Sequence, residues 1–178
     1  MKRTTNKTTK HPNLRPTSNK VREALFDILR NRIEGSRFLD LYAGTGAVGI
    51  DALDERVAEV MFVEESRRYS NNIGELIRKR HLTDQARIIN KKVMTFIEWA
   101  ELESLVFDII FLDPPYHSEE IMYAMKAIDR SSILENEGTV IAEHFSKREL
   151  PEHFDNLHKI KYYHYGDTVL SFYKRHKA

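Results

Sequence analysis

The sequence predicts an α/β fold in which a mostly parallel sheet is covered by helices on both faces and finishes in an antiparallel hairpin. Three observations carry this. From residue 37 onward, short apolar runs alternate with amphipathic stretches, the pattern of strands joined by crossover helices. The first run, through Asp40-Leu41-Tyr42-Ala43, leads straight into Gly44-Thr45-Gly46 and a helical stretch, so a glycine loop joins strand to helix. The last two runs, Lys159 to His164 and Val169 to Tyr173, are separated only by Tyr165-Gly166-Asp167-Thr168. That connection is too short for a crossover and suits a hairpin.

Ahead of the sheet, Val21, Ala24, Leu25, Ile28, Leu29 and Ile33 share one face at helical spacing, which predicts an opening helix. Pro16 disfavours helix before it, and Thr17 is the expected N-cap, its hydroxyl accepting an early N–H. Strands are then expected near Arg37 to Tyr42, Val60 to Val63, Ala86 to Ile89, Phe107 to Leu112 and Thr139 to Glu143. Helices are expected near Val48 to Asp54, Tyr69 to Arg80, Thr95 to Leu102 and Glu119 to Asp129. No repeat or Pro/Gly-rich linker divides the chain. The expected organisation is a basic, flexible arm over residues 1–16 and a single domain over residues 17–178.

Composition narrows the function classes. The chain has 178 residues, 41% of them hydrophobic, and no cysteine. That excludes disulfides, a Cys zinc site and a cysteine nucleophile, and makes a reducing cytoplasm the expected compartment. The eight histidines include no pair at the three- or four-residue spacing of a helical metal site, so no metal is expected. No apolar run exceeds four residues, as in Ile109 to Leu112, against about 20 for a bilayer span, so no membrane partner is expected. The amino terminus lacks the apolar stretch of a signal peptide.

The formal net charge of +1 is a cancellation. Residues 1–22 hold seven basic groups and no acid, and residues 156–178 hold five against Asp167 alone. The stretch between carries 16 basic and 26 acidic groups. Two basic ends flanking an acidic body suit a polyanionic partner, and suit solvated tails equally well.

Gly44-x-Gly46-x-x-Gly49 between a strand and a helix lets backbone N–H groups approach a ligand at the carboxyl edge of the sheet. Asp40, Ala43, Gly44, Thr45 and Gly46 form this loop. Glu64, twenty residues after Gly44, closes the second strand where a carboxylate can accept both hydroxyls of a ribose. Taken alone, the pattern also fits a dinucleotide such as NAD. Asp40 argues against that, because an acid beside the loop repels a pyrophosphate and attracts an ammonium. S-adenosylmethionine offers an ammonium, a ribose and an adenine with no phosphate. A tight turn with two surface acids is the plainer alternative.

The fourth strand ends in Asp113-Pro114-Pro115-Tyr116. Two prolines fix φ and remove two N–H donors, leaving a rigid turn of acceptors followed by a ring. Methylation of a base amino group needs this, since the amine lone pair is delocalised into the ring. Acceptors at Asp113 and the Pro114 carbonyl would hold the N–H groups and turn the lone pair toward a methyl sulfonium, while Tyr116 stacks on the base. An ordinary strand stop is the plainer alternative.

Together these motifs resemble the class I S-adenosylmethionine-dependent methyltransferases, and more narrowly the bacterial RsmD-type family, which methylates N2 of a guanine in 16S ribosomal RNA. The resemblance rests on Arg15-Pro16-Thr17 with Val21-Arg22-Glu23-Ala24-Leu25-Phe26, on Leu39 to Gly46, on Phe62-Val63-Glu64, and on Phe107-Asp108 through Tyr116. It implies a Rossmann-like, seven-stranded sheet with an antiparallel C-terminal hairpin. The implied substrate is 16S rRNA in the 30S subunit or a pre-30S particle, and a monomer is the expected state. Arg15, Thr17 and Arg22 would line the substrate side, with Lys20 on a phosphate; a surface ion pair is the alternative for Arg22.

Two departures from the family pattern stand out. Met1 to Asn13 is Thr/Lys-rich and lacks the usual glycine- and basic-containing strand. Where many class I enzymes carry an acid for adenine N6, this chain has Asn90-Lys91-Lys92, so Asn90 or backbone near Val93 and Met94 is expected to substitute. Two other functions compete: a DNA amino-methyltransferase using the same donor, and a non-catalytic ribosome-assembly factor. The chain shows no target-recognition insertion for the first, and Asp113 and Tyr116 would be superfluous in the second.

Overall fold

The computed structural model describes residues 17–115 and 118–176. The elements run α1 (Asn19–Leu29), β1 (Arg37–Leu41), α2 (Ala47–Asp54), β2 (Glu59–Val63), α3 (Arg67–Lys79), β3 (Ala86–Ile89), α4 (Val93–Leu102), β4 (Phe107–Leu112), α5 (Glu120–Arg130), β5 (Leu134–Phe145), β6 (Leu157–Tyr165) and β7 (Thr168–Arg175). The seven strands form one sheet of order β3-β2-β1-β4-β5-β7-β6. β1 to β5 pair in parallel, and β7 runs antiparallel to both β5 and β6. The expected mixed sheet is therefore the observed one.

Two expectations are corrected. β5 begins at Leu134 rather than Thr139, because Leu134 pairs with Phe107 ahead of a register shift. Glu135-Asn136-Glu137-Gly138 offers no apolar alternation that could have signalled strand. The N-cap of α1 is Ser18 and not Thr17: Ser18 Oγ accepts from the Val21 N–H at 3.3 Å. The N-terminal arm with Arg15, and Tyr116 in the second motif, lie outside the described residues.

Period-two alternation along the strands builds two cores. Leu39, Leu41, Met61, Ile110 and Leu112 face α4 and α5, whereas Phe38, Val60, Phe62, Ile109 and Phe111 face α1, α2 and α3. α2 packs so closely on β2 that a Cβ on Gly49 would lie 2.2 Å from Phe62 Cε1. Gly46 sits at φ 79 with a would-be Cβ 2.9 Å from Ile73 Cγ1. Both glycines are thus required by packing or by backbone conformation. The result is a rigid turn at the carboxyl edge of β1, beside the ends of β2, β4 and β5.

Candidate active site

The glycine loop is tied down by backbone bonds from Ala43 N to Val63 O at 3.0 Å and from Gly46 N to Ala43 O at 2.7 Å. Thr45 is exposed at its tip. Glu64 Oε2 accepts from Gly44 N at 2.8 Å, and its Oε1 accepts from Ser66 N at 2.8 Å. Each carboxylate oxygen has a second lone pair, so Glu64 shapes the loop and keeps one acceptor per oxygen for a diol.

Asp40 lies deeper, 2% exposed, with Oδ2 accepting from Gly49 N at 3.0 Å. Burial is the main cause that pushes its carboxyl up to about 7, against the lowering effect of that N–H bond, with the Glu64 charge adding to the rise. Asp40 therefore clips the start of α2 to β1 and answers any positive charge brought to the loop.

Asn90 follows β3. Its Nδ2 donates to Glu64 O at 2.8 Å and Glu65 O at 2.9 Å, so its nitrogen braces the Glu64 turn. What it can offer a ligand is Oδ1, the acceptor that an adenine amino group needs. The Val93 side chain is buried in the core. Its contribution is backbone: α4 starts at Val93 without a side-chain cap, which leaves N–H groups available there.

Across the cleft, Asp113 follows β4, with its N–H 3.4 Å from Leu41 O, so the second motif abuts the strand that feeds the glycine loop. Pro114 is buried and Pro115 exposed. Ser118 N and Oγ both donate to Pro115 O, at 3.1 and 2.8 Å. No described residue donates to the Pro114 carbonyl, which stands as an acceptor beside the Asp113 carboxyl. Asp113 is held well above the usual carboxylate range, first by burial and then by Glu143, with the Thr17 hydroxyl opposing.

Thr17 is buried, and its Oγ1 lies 2.7 Å from Glu143 Oε2 and 3.3 Å from Asp113 Oδ2. One hydroxyl proton is shared between two acceptors, with the shorter contact to Glu143. Asp113 keeps further lone pairs for another donor. Glu143, 2% exposed at the end of β5, was not among the expected site residues. Its one signal was an acid closing the apolar run Val140-Ile141-Ala142.

Tyr42 sits at φ 61 just after β1 and faces the charge of Glu120 at the start of α5. Burial and the Glu120 carboxylate raise this phenol above its ordinary range.

The guanidinium of Arg22, expected on the substrate side, is committed elsewhere. It donates through Nε to Asp51 at 2.6 Å, and through its other nitrogens to Thr17 O and Asn19 Oδ1, each at 2.9 Å. Arg22 is thus a clamp between α1 and α2 that fixes Thr17. Lys20 is exposed and has no acidic partner among the described residues. Also among the described residues, no group of His, Cys, Asp and Glu is arranged to hold a metal ion, and no helix is long and apolar enough to cross a membrane.

None of Asp40, Glu64 and Asp113 forms a salt bridge among the described residues. A cluster of unneutralised acids around a glycine loop fits a cationic nucleoside and opposes a pyrophosphate. The sheet order, the loop and the acceptor turn define a Rossmann-like methyltransferase.

The comparisons agree. The family model described as Conserved hypothetical protein 95 matches residues 1–174. The chain belongs to that family, the RsmD-type methyltransferases. It is 32% identical over 161 residues to YlbH of Bacillus subtilis, covering 90% of this chain and 88% of that protein. It is 29% identical over 140 residues to Ribosomal RNA small subunit methyltransferase D of Escherichia coli K12, covering 79% of this chain and 69% of that one. The solved structure of protein TTHA0928 from Thermus thermophilus superposes with a TM-score of 0.79 at 29% identity, covering 90% of this chain and 88% of that one.

Proposed function

We propose that this protein transfers a methyl group from S-adenosylmethionine to the exocyclic N2 of a guanine in 16S ribosomal RNA, presented in the small subunit or an assembly intermediate. The observation that carries the reading is the pair of acceptors, Asp113 and the Pro114 carbonyl, set beside a glycine loop flanked by Asp40 and Glu64, which have no cationic partner among the described residues. The name of the E. coli relative supports the small-subunit rRNA as substrate class.

Bound S-adenosylmethionine supplies a methyl group on a sulfonium, an electrophile with a good leaving group. Glu64 accepts the ribose hydroxyls with the lone pairs that Gly44 and Ser66 leave open. Asn90 Oδ1 accepts from the adenine amine, and an N–H at the start of α4 near Val93 meets a ring nitrogen. Asp40 answers the ammonium. Across the cleft, Asp113 and the Pro114 carbonyl accept the two N–H groups of guanine N2, which directs the lone pair at the methyl group. Asp113 then takes the proton that N2 loses on alkylation, a role suited to a carboxyl held above its ordinary range. Tyr116 stacks on the base, and Pro114 and Pro115 keep the turn rigid. Positioning of this kind supplies about 7–11 kcal/mol of the barrier reduction. Arg15, Thr17 and Lys20 complete the RNA side, and Arg22 acts through Thr17.

The test is labelled methyl transfer from S-adenosylmethionine to 30S particles from a strain lacking the activity, with naked RNA and DNA alongside, followed by nucleoside analysis. Label in N2-methylguanosine is the expected outcome. Label in N6-methyladenine of DNA overturns the substrate assignment.

A further inference from the structure

The basic C-terminal stretch that the charge count singled out is mostly occupied. Lys159 Nζ donates to Glu152 Oε1 at 2.6 Å and Leu150 O at 2.8 Å. Arg175 donates to Asp129 O and Ser131 O, and Lys174 lies 3.7 Å from Glu137. Lys161 remains exposed, with no ion pair among the described residues.

Around Lys161 the strand has an unusual surface. β6 is an edge strand of the sheet, and its register shifts between Lys159 and Lys161. Tyr162 is 59% exposed and Ile160 40%, in a molecule whose other large apolar side chains are mostly buried. A concavity of about 320 Å³ is lined by Glu152, Lys159, Ile160, Lys161, Tyr162 and Tyr163. Tyr162 and His164 meet edge to face at 5.6 Å, which steadies an exposed ring. No acid occurs from Asn156 to Gly166.

The strand also reaches the active edge. Glu143 pairs with Leu170, and Leu170 with Tyr163, so Tyr163 shares a row with the residue that holds Thr17 beside Asp113. Two strand spacings put that row end about 10 Å from Glu143. An extended strand leaving the cleft across β5 and β7 arrives at β6.

We propose that this outer strand is a second RNA-contact surface, where a single-stranded segment flanking the methylated nucleotide stacks a base on Tyr162 and sets a phosphate against Lys161. The proposal rests on the rRNA reading above and adds where the rest of the strand lies. Single-stranded RNA is the occupant that fits: an exposed aromatic ring and, at the preceding strand position, a lysine with no ion pair among the described residues suit stacked bases and phosphates, and the acid that lines the concavity, Glu152, is already paired with Lys159. A second copy of the chain would set the same basic strand against itself, with like charges opposed.

The test compares the wild type with Tyr162→Ala, Tyr162→Phe and Lys161→Glu. Three readouts are needed: KM and kcat for unmethylated 30S particles, affinity for a single-stranded RNA of about 12 nucleotides, and affinity for S-adenosylmethionine. Tyr162→Ala is expected to raise KM and weaken RNA binding about tenfold, with kcat, cofactor affinity and melting temperature unchanged. Tyr162→Phe, which keeps the ring, is expected to behave as wild type, and Lys161→Glu as Tyr162→Ala. KM and RNA affinity within twofold of wild type in Tyr162→Ala and Lys161→Glu would overturn the proposal. So would Tyr162-dependent self-association that RNA does not compete away. If the wild type leaves 30S particles unmethylated yet the RNA affinities still separate the variants, the rRNA reading fails and the RNA-binding surface stands.

Discussion

The two halves of the cleft hold their acids by different means. On the glycine-loop side, Glu64 and Asp40 are met by backbone N–H groups of Gly44, Ser66 and Gly49, supplied by neighbouring loops and the first turn of α2. On the acceptor side, Asp113 and Glu143 share the side-chain hydroxyl of Thr17, from 96 and 126 residues away. The first half is a local motif that is complete once β1, β2 and α2 are formed. The second exists only when α1, β4 and β5 are all in place, so perturbations on the two sides are expected to separate cofactor binding from substrate handling.

The largest expected effect is on the loop side. Glu64→Ala removes the acceptor for two backbone N–H groups as well as the proposed diol contact. Hydrogen bonds to a charged group are worth about 1.5–3 kcal/mol each. Affinity for S-adenosylmethionine by titration calorimetry is expected to fall at least about 100-fold, with RNA affinity retained. A retained cofactor affinity would merge the two halves.

Next comes Glu143→Ala, which is expected to turn the Thr17 hydroxyl toward Asp113 and occupy the acceptor proposed for substrate. The rate of transfer is expected to fall about tenfold, in line with one buried hydrogen bond, with cofactor affinity within twofold of wild type. Adding Thr17→Val to that variant removes the misdirected hydroxyl and is expected to restore part of the rate. A double variant slower than Glu143→Ala alone would show that Thr17 acts in some other way.

The legibility of the two halves in the sequence follows the same division. Gly44, Gly46, Gly49 and Glu64 announce themselves because turn chemistry, packing and acid lie within about one βαβ unit of sequence. Likewise Asp113 and Pro114 stand out as donor-free punctuation after an apolar strand. Thr17 reads as an N-cap because Pro16 and a helical face surround it, and only the fold reveals Ser18 in that role and Glu143 opposite Thr17. Arg22 reads equally well as RNA-facing or ion-paired until Asp51, 29 residues on, is brought beside it. The start of β5 was hidden because its pairing with Phe107 is long-range and its polar text carries no alternation.

A smaller, pH-dependent effect separates the halves through Asp40. With its carboxyl raised from 3.8 to about 7, the folded protein binds more protons than the unfolded chain between those values. This group's contribution to stability therefore declines as pH rises through that window. For a ligand bearing an ammonium the sign is opposite, since ionised Asp40 attracts it. Affinity for S-adenosylmethionine is expected to strengthen a few-fold from pH 6 to 8, and Asp40→Asn to flatten that rise. A rise that persists in Asp40→Asn would assign it to another group.

Smallest is Lys20→Ala, expected to weaken RNA binding mildly and reduce its salt slope by about one phosphate contact. Arg22→Ala is expected to leave that slope unchanged and lower the melting temperature, as befits a clamp.

The central claim is that the Asp113 carboxyl positions the methyl acceptor and contributes nothing to holding the donor. Single-turnover transfer and calorimetric affinity for S-adenosylmethionine, measured side by side on Asp113→Ala, test it most directly. The expected result is a transfer rate at least about 100-fold lower with donor affinity within twofold of wild type. An unchanged rate, or a matching loss of donor affinity, would contradict it.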